Sequence, residues 1–427
     1  MQIKQASLRK RMRMGLRDIL SWMPRDLRFG FYRAMIDCDP EPDPRLELKV
    51  AETQQELEDC FRILHDAYVA SGFMKPSPSG LRVTIYHALP TTTTLCAKYD
   101  GRVVGTMSMI REGVFGFPLQ TVFDLADVRA KQGQIAEISA LAIHPDFRKT
   151  GGAIFFPLMK FMYEYCTRYF DTRHLVIAVN PNKIEFYEAL LFFKRLQERT
   201  VESYDFANGA PAVGATLDLR EAKEQFRRVY GKRKQRKNLY QYFVKSELPN
   251  IQLPRRRYFT TTDPVLTPQT LDYFFNQRTK VFQELDDRKR ALLWSIYDQP
   301  EFRAVLPMLV GPGELFQPMR RHQRFSLRCP AELRIEVDGA ERFIVMTVIE
   351  ISLSGFQAQS SLDIPLRAEG NVRVQLGAGE QTTLAATVMR RHEGESGRFY
   401  GFRLAAADDV WRNCVSALET SQVAREL

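Results

Sequence analysis

The sequence has few cysteines and lacks any long apolar run. Its six cysteines are scattered along the chain, with no C-x-x-C pair and no grouping with histidine. This pattern indicates neither a disulfide framework nor a zinc site, so we expect no bound metal and a reducing compartment. No apolar stretch approaches the length of a membrane span, and the charged N-terminus lacks the apolar core of a signal peptide. We therefore expect a cytoplasmic protein.

The net charge of +10 is concentrated in clusters rather than spread evenly. The first 33 residues carry nine Lys and Arg, and further clusters lie at 232–237 and 255–257. Such clusters suit nucleic acid, anionic lipid or an acidic protein partner, and charge alone does not choose among them. No base-stacking motif or reading helix accompanies the clusters, so we do not expect nucleic acid as a partner.

The N-terminal segment, residues 1–45, carries its own pattern. Leu8, Met12 and Leu16 begin an apolar stripe at helical spacing, while arginines fall on another face. This predicts a basic amphipathic helix that ends at Pro24. The helix either lies at the surface of an anionic membrane or packs onto the next domain, and the residues leave both interpretations open. The proline-rich stretch 39–44 then predicts an extended linker.

From residue 46 the pattern is that of a mixed α/β domain, because apolar residues alternate in some stretches and follow helical spacing in others. Strands are predicted at 46–51, 94–98, 103–110, 135–143 and 175–179, and helices at 54–71, 152–170 and 183–191. Residues 220–315 are predicted to be mostly helical and basic, most clearly at 271–282 and 286–297. Short strands follow at 325–337, 343–350, 370–376, 383–391 and 399–404, which predicts a small β-barrel.

A turn between the strand at 135–143 and the following helix has the composition of a phosphate cradle. It runs from Ile143 through His144-Pro145 to a basic, glycine-bearing stretch, Arg148, Lys149, Thr150, Gly151, Gly152 and Ala153. Glycines let the backbone approach a phosphate closely, and the N–H groups at a helix N-terminus favour an anion. The turn matches neither G-x-G-x-x-G nor a Walker loop.

Through Arg148, Gly151 and Ala153 the turn resembles the R-x-x-G-x-[G/A] motif of GCN5-related acyltransferases. The resemblance implies that residues 143 and 148–153 hold the pyrophosphate of coenzyme A or the phosphopantetheine arm of acyl carrier protein. The stretch 182–192 resembles the second motif of that family, in which Asn182 and Tyr187 would flank the thioester. Leu191 stands where a glycine is usual.

Two further features resemble the acyl-homoserine-lactone synthases and their relatives, the N-acyl amino acid synthases. Glu137-x-Ser139 lies on the strand before the cradle, and the following helix begins with the apolar stretch 154–159. The region 46–300 resembles the N-acyl amino acid synthases more closely. This implies a long-chain acyl donor on acyl carrier protein or coenzyme A, and the amine of an amino acid as acceptor.

Aminolysis of a thioester needs a base for the amine, a polarised carbonyl and a protonated leaving thiolate. Glu137 is the candidate base, most effective with a pKa raised by an apolar pocket, and Tyr187 is the candidate acid. A backbone N–H of the same strand would polarise the carbonyl. Each side chain also has a structural interpretation, an outward-facing strand residue for Glu137 and a core aromatic for Tyr187. No cysteine lies near these motifs, which favours direct attack over an acyl-enzyme.

Near the C-terminus, arginines are spaced to surround a phosphate. Arg320, Arg321 and Arg324 are followed by Glu350-x-Ser352-x-x-Gly355. Over 319–420 this resembles the PilZ domain, with its R-x-x-x-R and [D/N]-x-S-x-x-G motifs, and implies cyclic di-GMP as ligand. Glu350 replaces the usual Asp or Asn. The alternative interpretation is a basic flank on an ordinary barrel.

These observations predict a multidomain protein with an α/β (α+β) GCN5-related acyltransferase fold, a helical connecting region and a C-terminal six-stranded PilZ barrel. The predicted segments are 1–45, 46–230 for the acyltransferase, 231–318 for the basic helical extension and 319–420. The predicted activity is N-acylation of an amino acid, regulated by cyclic di-GMP, with docking of acyl carrier protein on basic clusters and peripheral contact with the inner face of the cytoplasmic membrane. The alternative is an inactive cyclic di-GMP effector that uses the acyltransferase fold for protein interaction.

Overall fold

In the computed structural model, an eight-stranded mixed sheet is followed by a closed six-stranded barrel. The structure describes residues 23–419 except 114, 132, 149, 171, 255–256, 261–265, 298–299, 310–323, 338, 378 and 395–396. Within these ranges no helix is both long and apolar enough to cross a bilayer. The predicted fold class, an α/β acyltransferase-type region and a PilZ-type barrel, is confirmed.

The first sheet has the order β1-β2-β3-β4-β5-β8-β6, with β7 pairing β8 at a separate position. The β4–β5 pair is parallel, and its other neighbouring strands run antiparallel. The strands are β1 (Leu46–Val50), β2 (Thr92–Tyr99), β3 (Arg102–Arg111), β4 (Gln134–Ile143), β5 (Thr172–Val179), β6 (Lys194–Arg195), β7 (Val201–Tyr204) and β8 (Ala210–Asp218).

The helices begin and end at recognisable signals, such as the capping box of Thr53 and Glu56 at the start of α2. In chain order they are α1 (Arg25–Ala34), α2 (Gln54–Ala70), α3 (Ala126–Ala130), α4 (Phe155–Tyr169), α5 (Pro181–Leu191), α6 (Leu219–Tyr230), α7 (Pro268–Asp272), α8 (Asp287–Ile296), α9 (Pro300–Arg303) and α10 (Asp409–Glu419). The structure also describes two π-helical turns, Gln241–Lys245 and Tyr273–Gln277, and several short 3₁₀ helices.

Helices α2 and α4 cover opposite faces of this sheet, because successive strand residues point to opposite sides. On β2, Leu95 belongs to the core that contains Phe161 of α4. Its neighbour Cys96 belongs to the core that contains Phe61 of α2. The sheet is therefore buried on both sides, and only its strand ends and openings are available for a site.

The barrel has the strand order β10-β11-β14-β13-β12-β9 and closes on itself. Its strands are β9 (Phe325–Val337), β10 (Ala340–Ser352), β11 (Gly355–Ser360), β12 (Glu369–Gly377), β13 (Glu380–Gly394) and β14 (Gly397–Leu404). Helix α10 closes one end, where Trp411 is fully buried and its Nε1 donates to the carbonyl of Ser352 at 2.9 Å.

The region between the two sheets is less helical than the sequence predicted. After Asn238 its described part holds a π turn and then a largely extended run to Thr260, since Pro249 and Pro254 disfavour helix at the residues before them. Ile251 forms a parallel bridge with Leu48 at the edge of β1.

Residues 231–306 do not form a separate body, since most of their described apolar side chains join the cores of the first sheet. Leu239, Tyr242 and Phe243 belong to the core on the α4 side. Leu271 and Phe274 belong to the core on the α2 side, together with Phe282 and other residues of this region. Most described residues of the predicted 231–318 extension thus pack with the first sheet, whereas residues 258–260 pack with the barrel.

Residues 258–260 enter the barrel as an additional short strand. Tyr258 bridges Gly377, and Thr260 bridges Leu327, so the segment lies between the ends of β12 and β9. The Phe259 N–H donates to the carbonyl of Leu376 at 2.9 Å, and the Phe259 carbonyl accepts from the Arg328 N–H at 3.0 Å. Tyr258 is fully buried in the barrel core, so the connection is part of the fold.

Candidate acyl-transfer and nucleotide sites

Strands β4 and β5 separate halfway along their length. Their parallel ladder runs from Gln134 to Glu137, and no pairing between these strands follows among the described residues. The other edge of β4, which pairs with β3, contains a β-bulge. Thr106 pairs with Ala142 and Ser108 with Ser139, so β4 has one more residue than β3 between these two pairs. Within the bulge, Ala140 adopts a positive φ of 53°. A bulge bends its strand and disrupts the ladder locally. The separation opens a cavity in the sheet directly beside Glu137.

This opening, the β4–β5 cavity, has a volume of about 190 Å³. Its walls carry Glu137 and Ser139 from β4, and Asn180, Lys183 and Tyr187 from the end of β5 and from α5. Three aromatic side chains close another wall: Tyr68, Tyr204 and Phe206. The cavity therefore combines a carboxyl group, hydroxyls and exposed strand backbone, which are the groups that acyl transfer requires.

Glu137 points into this cavity and is 1 % exposed. Its Oε2 accepts the backbone N–H of Leu119 at 3.0 Å, while the described residues give Oε1 no hydrogen-bond partner. Burial raises the pKa of Glu137 from an ordinary value of 4.5 to about 8, and the Leu119 N–H opposes that rise. A carboxyl group held near neutral pKa is suited to accept and return a proton.

Tyr187 lines the same cavity from α5. Its ring makes edge contacts with Phe186 and Phe193, at centroid distances of 5.7 and 5.9 Å. Burial raises its pKa to about 12. The side chain thus fits both interpretations given by the sequence, an aromatic packing residue and a hydroxyl that faces the substrate.

The asparagine at the cavity wall is Asn180 rather than Asn182. Asn180 caps α5, and its Oδ1 accepts the N–H of Asn182 at 3.0 Å. Asn182 itself is exposed in the first turn of the helix. The motif locates the asparagine only to within one turn of helix. The capping geometry determines that Asn180, and not Asn182, lies at the cavity wall.

The predicted phosphate cradle is a tight turn after β4. Arg148 folds back, its Nε donating to the carbonyl of Ile143 at 2.7 Å, and the Thr150 Oγ1 donates to the carbonyl of Phe147 at 2.7 Å. Gly151 and Gly152 have φ values of 68° and 99°. Ala153 then leads into α4, and its N–H donates to the Thr150 carbonyl at 3.2 Å. Lys149 lies outside the described residues.

Gly151 and Gly152 are required by this turn for different reasons. Both have positive φ, which side chains other than glycine rarely adopt. A Cβ on Gly152 would also lie 2.7 Å from the ring of Phe156, whereas a Cβ on Gly151 would meet no atom of the described chain within 4 Å. Gly151 therefore presents bare backbone outward, as close approach to a phosphate requires.

An apolar extension adjoins the β4–β5 cavity. Met159, Met162 and Phe193 line both that cavity and a smaller one of about 40 Å³. The remaining walls of the smaller cavity are apolar apart from Lys223 and Tyr163, and include Leu175, Leu191, Leu217 and Phe226. The shared side chains separate a polar reaction chamber from a space suited to hydrocarbon.

The second site lies on the barrel and has the opposite character. Arg324, Glu350, Ser352 and Gly355 line one open pocket of about 200 Å³, as the motif predicts. Arg324 Nη1 and Glu350 Oε1 are 3.2 Å apart. Arg320 and Arg321 lie outside the described residues.

Small residues and further cations shape this barrel pocket. The Ser352 Oγ donates to the carbonyl of Gly355 at 3.1 Å, and a Cβ at Gly355 would overlap the carbonyl of Phe402. Two more cations line the pocket, Arg390 and Arg403. The sequence analysis missed both, because they reach the pocket only through the pairing of β11, β13 and β14.

The described end of the N-terminal segment packs onto the acyltransferase-type unit. In α1, Arg28 pairs with Glu185 at 2.7 Å and Arg25 with Glu188 at 3.1 Å. The cluster at 232–237 contributes Arg236, which pairs with Asp37 at 2.7 Å. Part of the basic charge is therefore used within the chain, and residues 1–22 lie outside the described part.

The fold and its two sites define the class of protein, which is an N-acyltransferase joined to a PilZ barrel. Residues 59–218 match the family model of the N-acyl amino acid synthase FeeM, and residues 318–417 match that of the PilZ domain. These two matches, in this order, confirm the predicted resemblance to the N-acyl amino acid synthases and to the PilZ domain. The comparison with curated proteins gives no match.

The solved structures that resemble this chain include three proteins of these classes. FeeM from uncultured soil microbes is 23% identical over 43% of this chain and 96% of its own, with a TM-score of 0.37. The CoA-dependent acyl-homoserine lactone synthase BjaI, with SAM and isopentyl-CoA, is 20% identical over 49% and 93%, with a TM-score of 0.35. The PilZ domain of YcgR from Escherichia coli, with c-di-GMP, is 17% identical over 25% and 95%, with a TM-score of 0.21.

Proposed function

We propose that this protein transfers a long-chain acyl group from a thioester to the amine of an amino acid, and that cyclic di-GMP bound at the barrel regulates the transfer. The observation that carries the proposal is Glu137, a buried carboxyl group with a free oxygen at the point where β4 and β5 separate. Its position in a domain of the FeeM family supports an N-acyltransferase reaction rather than hydrolysis.

In the proposed reaction the neutral amine attacks the thioester carbonyl, and Glu137 Oε1 takes a proton from the nitrogen. The carbonyl becomes an oxyanion, stabilised by N–H groups of β4 that no longer pair with β5. Collapse forms the amide, breaks the C–S bond and expels the thiolate. Because a free thiol has a pKa of roughly 8.5, Glu137 can return its proton to the sulfur.

Tyr187 then has a supporting role in the proposal. Its pKa of about 12 lies above that of a thiol, so full proton transfer from Tyr187 to the thiolate is unfavourable. Its hydroxyl instead stabilises the leaving sulfur by donating a hydrogen bond. This assigns the proton shuttle to Glu137 alone.

The donor is proposed to be acyl carrier protein or coenzyme A. The turn at Gly151 and Gly152 would hold the phosphate of either carrier, with Arg148 beside it. The apolar space beyond Met159 and Met162 would contact the part of the acyl chain nearest the thioester. Parallel assays with the same acyl group on each carrier distinguish the two donors. Docking of acidic acyl carrier protein would draw on the exposed Lys232 and Lys234.

Regulation is supported by the way the barrel joins the first unit. Arg324 lies three residues before Leu327, which pairs with Thr260. At its other end the same segment pairs with β1 through Ile251. A nucleotide that engages Arg320, Arg321 and Arg324, with Arg390 and Arg403 across the pocket, would act next to this connection.

We also propose peripheral contact of this cytoplasmic protein with the inner face of the membrane. Leu27, Phe31 and Met35 are exposed and follow one face of α1, with Arg25 also exposed. Co-sedimentation with vesicles containing anionic lipid, compared with neutral vesicles, tests this contact. Equal recovery in the supernatant with both would contradict it.

The reaction is tested by mass spectrometry of lipid extracts from cells that express the wild type or Glu137→Gln. A series of N-acyl amino acids present only with the wild type would establish the reaction and identify both substrates. Identical extracts, with and without co-expressed cyclic di-GMP synthesis, would instead support the inactive effector.

A further inference from the structure

The aromatic wall of the β4–β5 cavity contains a buried hydroxyl without a partner. Tyr204, at the end of β7, is 2 % exposed and lines the cavity. Its hydroxyl makes no hydrogen bond to any residue that the structure describes. Buried polar groups are almost always paired, so an unpaired hydroxyl on a side chain that lines a cavity indicates a missing ligand group. The proposed reaction as described above does not use this hydroxyl.

A second observation is a buried cation, Arg82, which packs against the same aromatic wall. Arg82 is 7 % exposed, and its guanidinium lies 3.9 Å from the ring centroid of Tyr68 and 5.8 Å from that of Phe206. Its Nη2 donates to the Phe206 carbonyl at 2.5 Å. Across the described chain, no carboxylate pairs with Arg82. A buried cation without a counter-ion is unfavourable, so an anionic group bound at this wall of the cavity would stabilise Arg82.

Burial raises the pKa of Tyr204, with a further contribution from Glu137, and Arg82 opposes it. The hydroxyl therefore stays protonated and can donate a hydrogen bond. An α-amino acid presents a carboxylate and an amine on adjacent carbon atoms. The cavity offers a base for the amine at Glu137, and a hydroxyl donor backed by a cation at Tyr204 and Arg82. The amine of the acceptor thus matches Glu137, and its carboxylate matches Tyr204 and Arg82.

We propose that Tyr204 donates a hydrogen bond to the carboxylate of the acceptor, with Arg82 as its counter-charge, and so directs the amine toward Glu137. This inference rests on the proposed acyl transfer and adds the residues that select an acceptor bearing a carboxylate. In the proposed reaction the thioester carbonyl is assigned instead to N–H groups of β4 that lie beyond its described ladder with β5. Tyr204 and Arg82 are therefore specificity-determining residues.

The variant Tyr204→Phe tests the hydroxyl without altering the packing of the ring. Acceptor KM should rise about ten- to a hundred-fold, because one hydrogen bond to a charged group is lost. The kcat at saturating acceptor and the KM for acyl-CoA should stay unchanged. Thermal stability should be equal or higher, since the hydroxyl has no partner in the fold. A lower Tm would show an internal partner and overturn the proposal.

Tyr242→Phe is the matched control. Tyr242 is equally buried, and its hydroxyl also lacks a partner among the residues described, but it lies in the core away from the β4–β5 cavity. Its removal should leave every kinetic constant unchanged. A rise in donor KM or a fall in kcat for Tyr204→Phe, with acceptor KM unchanged, would place the hydroxyl on the thioester and overturn the assignment.

A competition assay separates this inference from the proposed function. Wild type is given acyl-CoA with an equimolar mixture of the protein amino acids and their carboxamides, and products are read by mass spectrometry. Acids should be acylated in preference to amides, and both Tyr204→Phe and Arg82→Met should reduce that preference. Equal acylation of acids and amides would defeat the inference alone. An absence of any acylated product, with either acyl-CoA or acyl carrier protein as donor, would defeat both.

Discussion

The two sites in this chain use charge in opposite ways. Glu137 is enclosed in the sheet, and removal of water shifts its pKa until it can exchange a proton near neutrality. The barrel pocket is open, and Arg324, Arg390 and Arg403 keep their charge beside Glu350 in contact with water. Chemistry needs a group whose ionisation can change, whereas recognition of a phosphate needs one whose ionisation cannot. The candidate acyl-transfer site and the candidate nucleotide site therefore differ in burial.

The largest expected effect comes from neutralising the buried carboxyl group. Glu137→Gln should lower kcat/KM by about 10²–10⁴-fold, because the base for the amine is lost. Glu164→Gln is the comparison, since Glu164 is also buried but is paired with Lys160 at 2.8 Å outside the cavity. It should reduce stability and leave the chemical step nearly intact. Unchanged turnover in Glu137→Gln would contradict the proposal that Glu137 is the base.

Next comes the loss of the exposed cations. Arg320→Ala combined with Arg324→Ala should weaken cyclic di-GMP binding by at least about a hundred-fold, since two charge-assisted contacts are lost. Basal acyl transfer should be unchanged, because Arg324 lines the barrel pocket and is not among the residues that line the β4–β5 cavity. Arg373→Ala, on a barrel arginine that pairs with Glu332 at 3.2 Å outside the pocket, should leave binding intact. Calorimetric titration measures all three.

The pH dependence sharpens the same contrast. Below the pKa of Glu137, about 8, kcat/KM calculated for the neutral form of the acceptor amine should rise about tenfold per pH unit as the base ionises, and level off above it. In Glu137→Gln the observed kcat/KM should keep only the titration of the acceptor amine. Cyclic di-GMP affinity should stay flat over this range, because arginine does not titrate there.

The same pKa shift predicts a change in stability. Because the folded protein binds this proton between pH 4.5 and about 8 and the unfolded chain does not, the stabilising contribution is present below 4.5 and is lost as pH rises through 8. Urea unfolding should show wild type losing stability relative to Glu137→Gln across that window. A constant difference between the two proteins would contradict the burial of the group.

The smallest effects are expected at the turn before α4. Gly152→Ala introduces a Cβ 2.7 Å from Phe156 and strains a φ of 99°, so it should reduce both stability and donor affinity. Gly151→Ala meets no described neighbour within 4 Å and should cost only about 1–2 kcal/mol of stability from its positive φ. Urea unfolding and donor KM rank the two. A reversed order would mean that the turn rearranges.

Much of this architecture was accessible from periodicity. The strand that carries Glu137, the turn after it and five barrel strands were predicted, because their apolar alternation is regular and glycines mark their ends. The burial of Glu137 was left open, since the sequence does not show where β5 stops pairing with β4. Tyr204 was missed because β7 is a four-residue strand with little alternation of its own. The stretch 220–315 was predicted to be mostly helical, whereas its described residues 246–254 and 257–260 are largely extended and pair with β1 and with the barrel.

The pairing of residues 258–260 with the barrel determines where a fragment that contains only the barrel should begin. A fragment begun at residue 318, where the PilZ match starts, would omit Tyr258 and Phe259 from the barrel wall. The backbone of Leu376 and Arg328 would lose its partners, and a hole would open where the Tyr258 ring had filled the core. Such an edge invites pairing with another chain. The isolated barrel should therefore be cut upstream of Arg257, or it will tend to self-associate for reasons unrelated to its ligand.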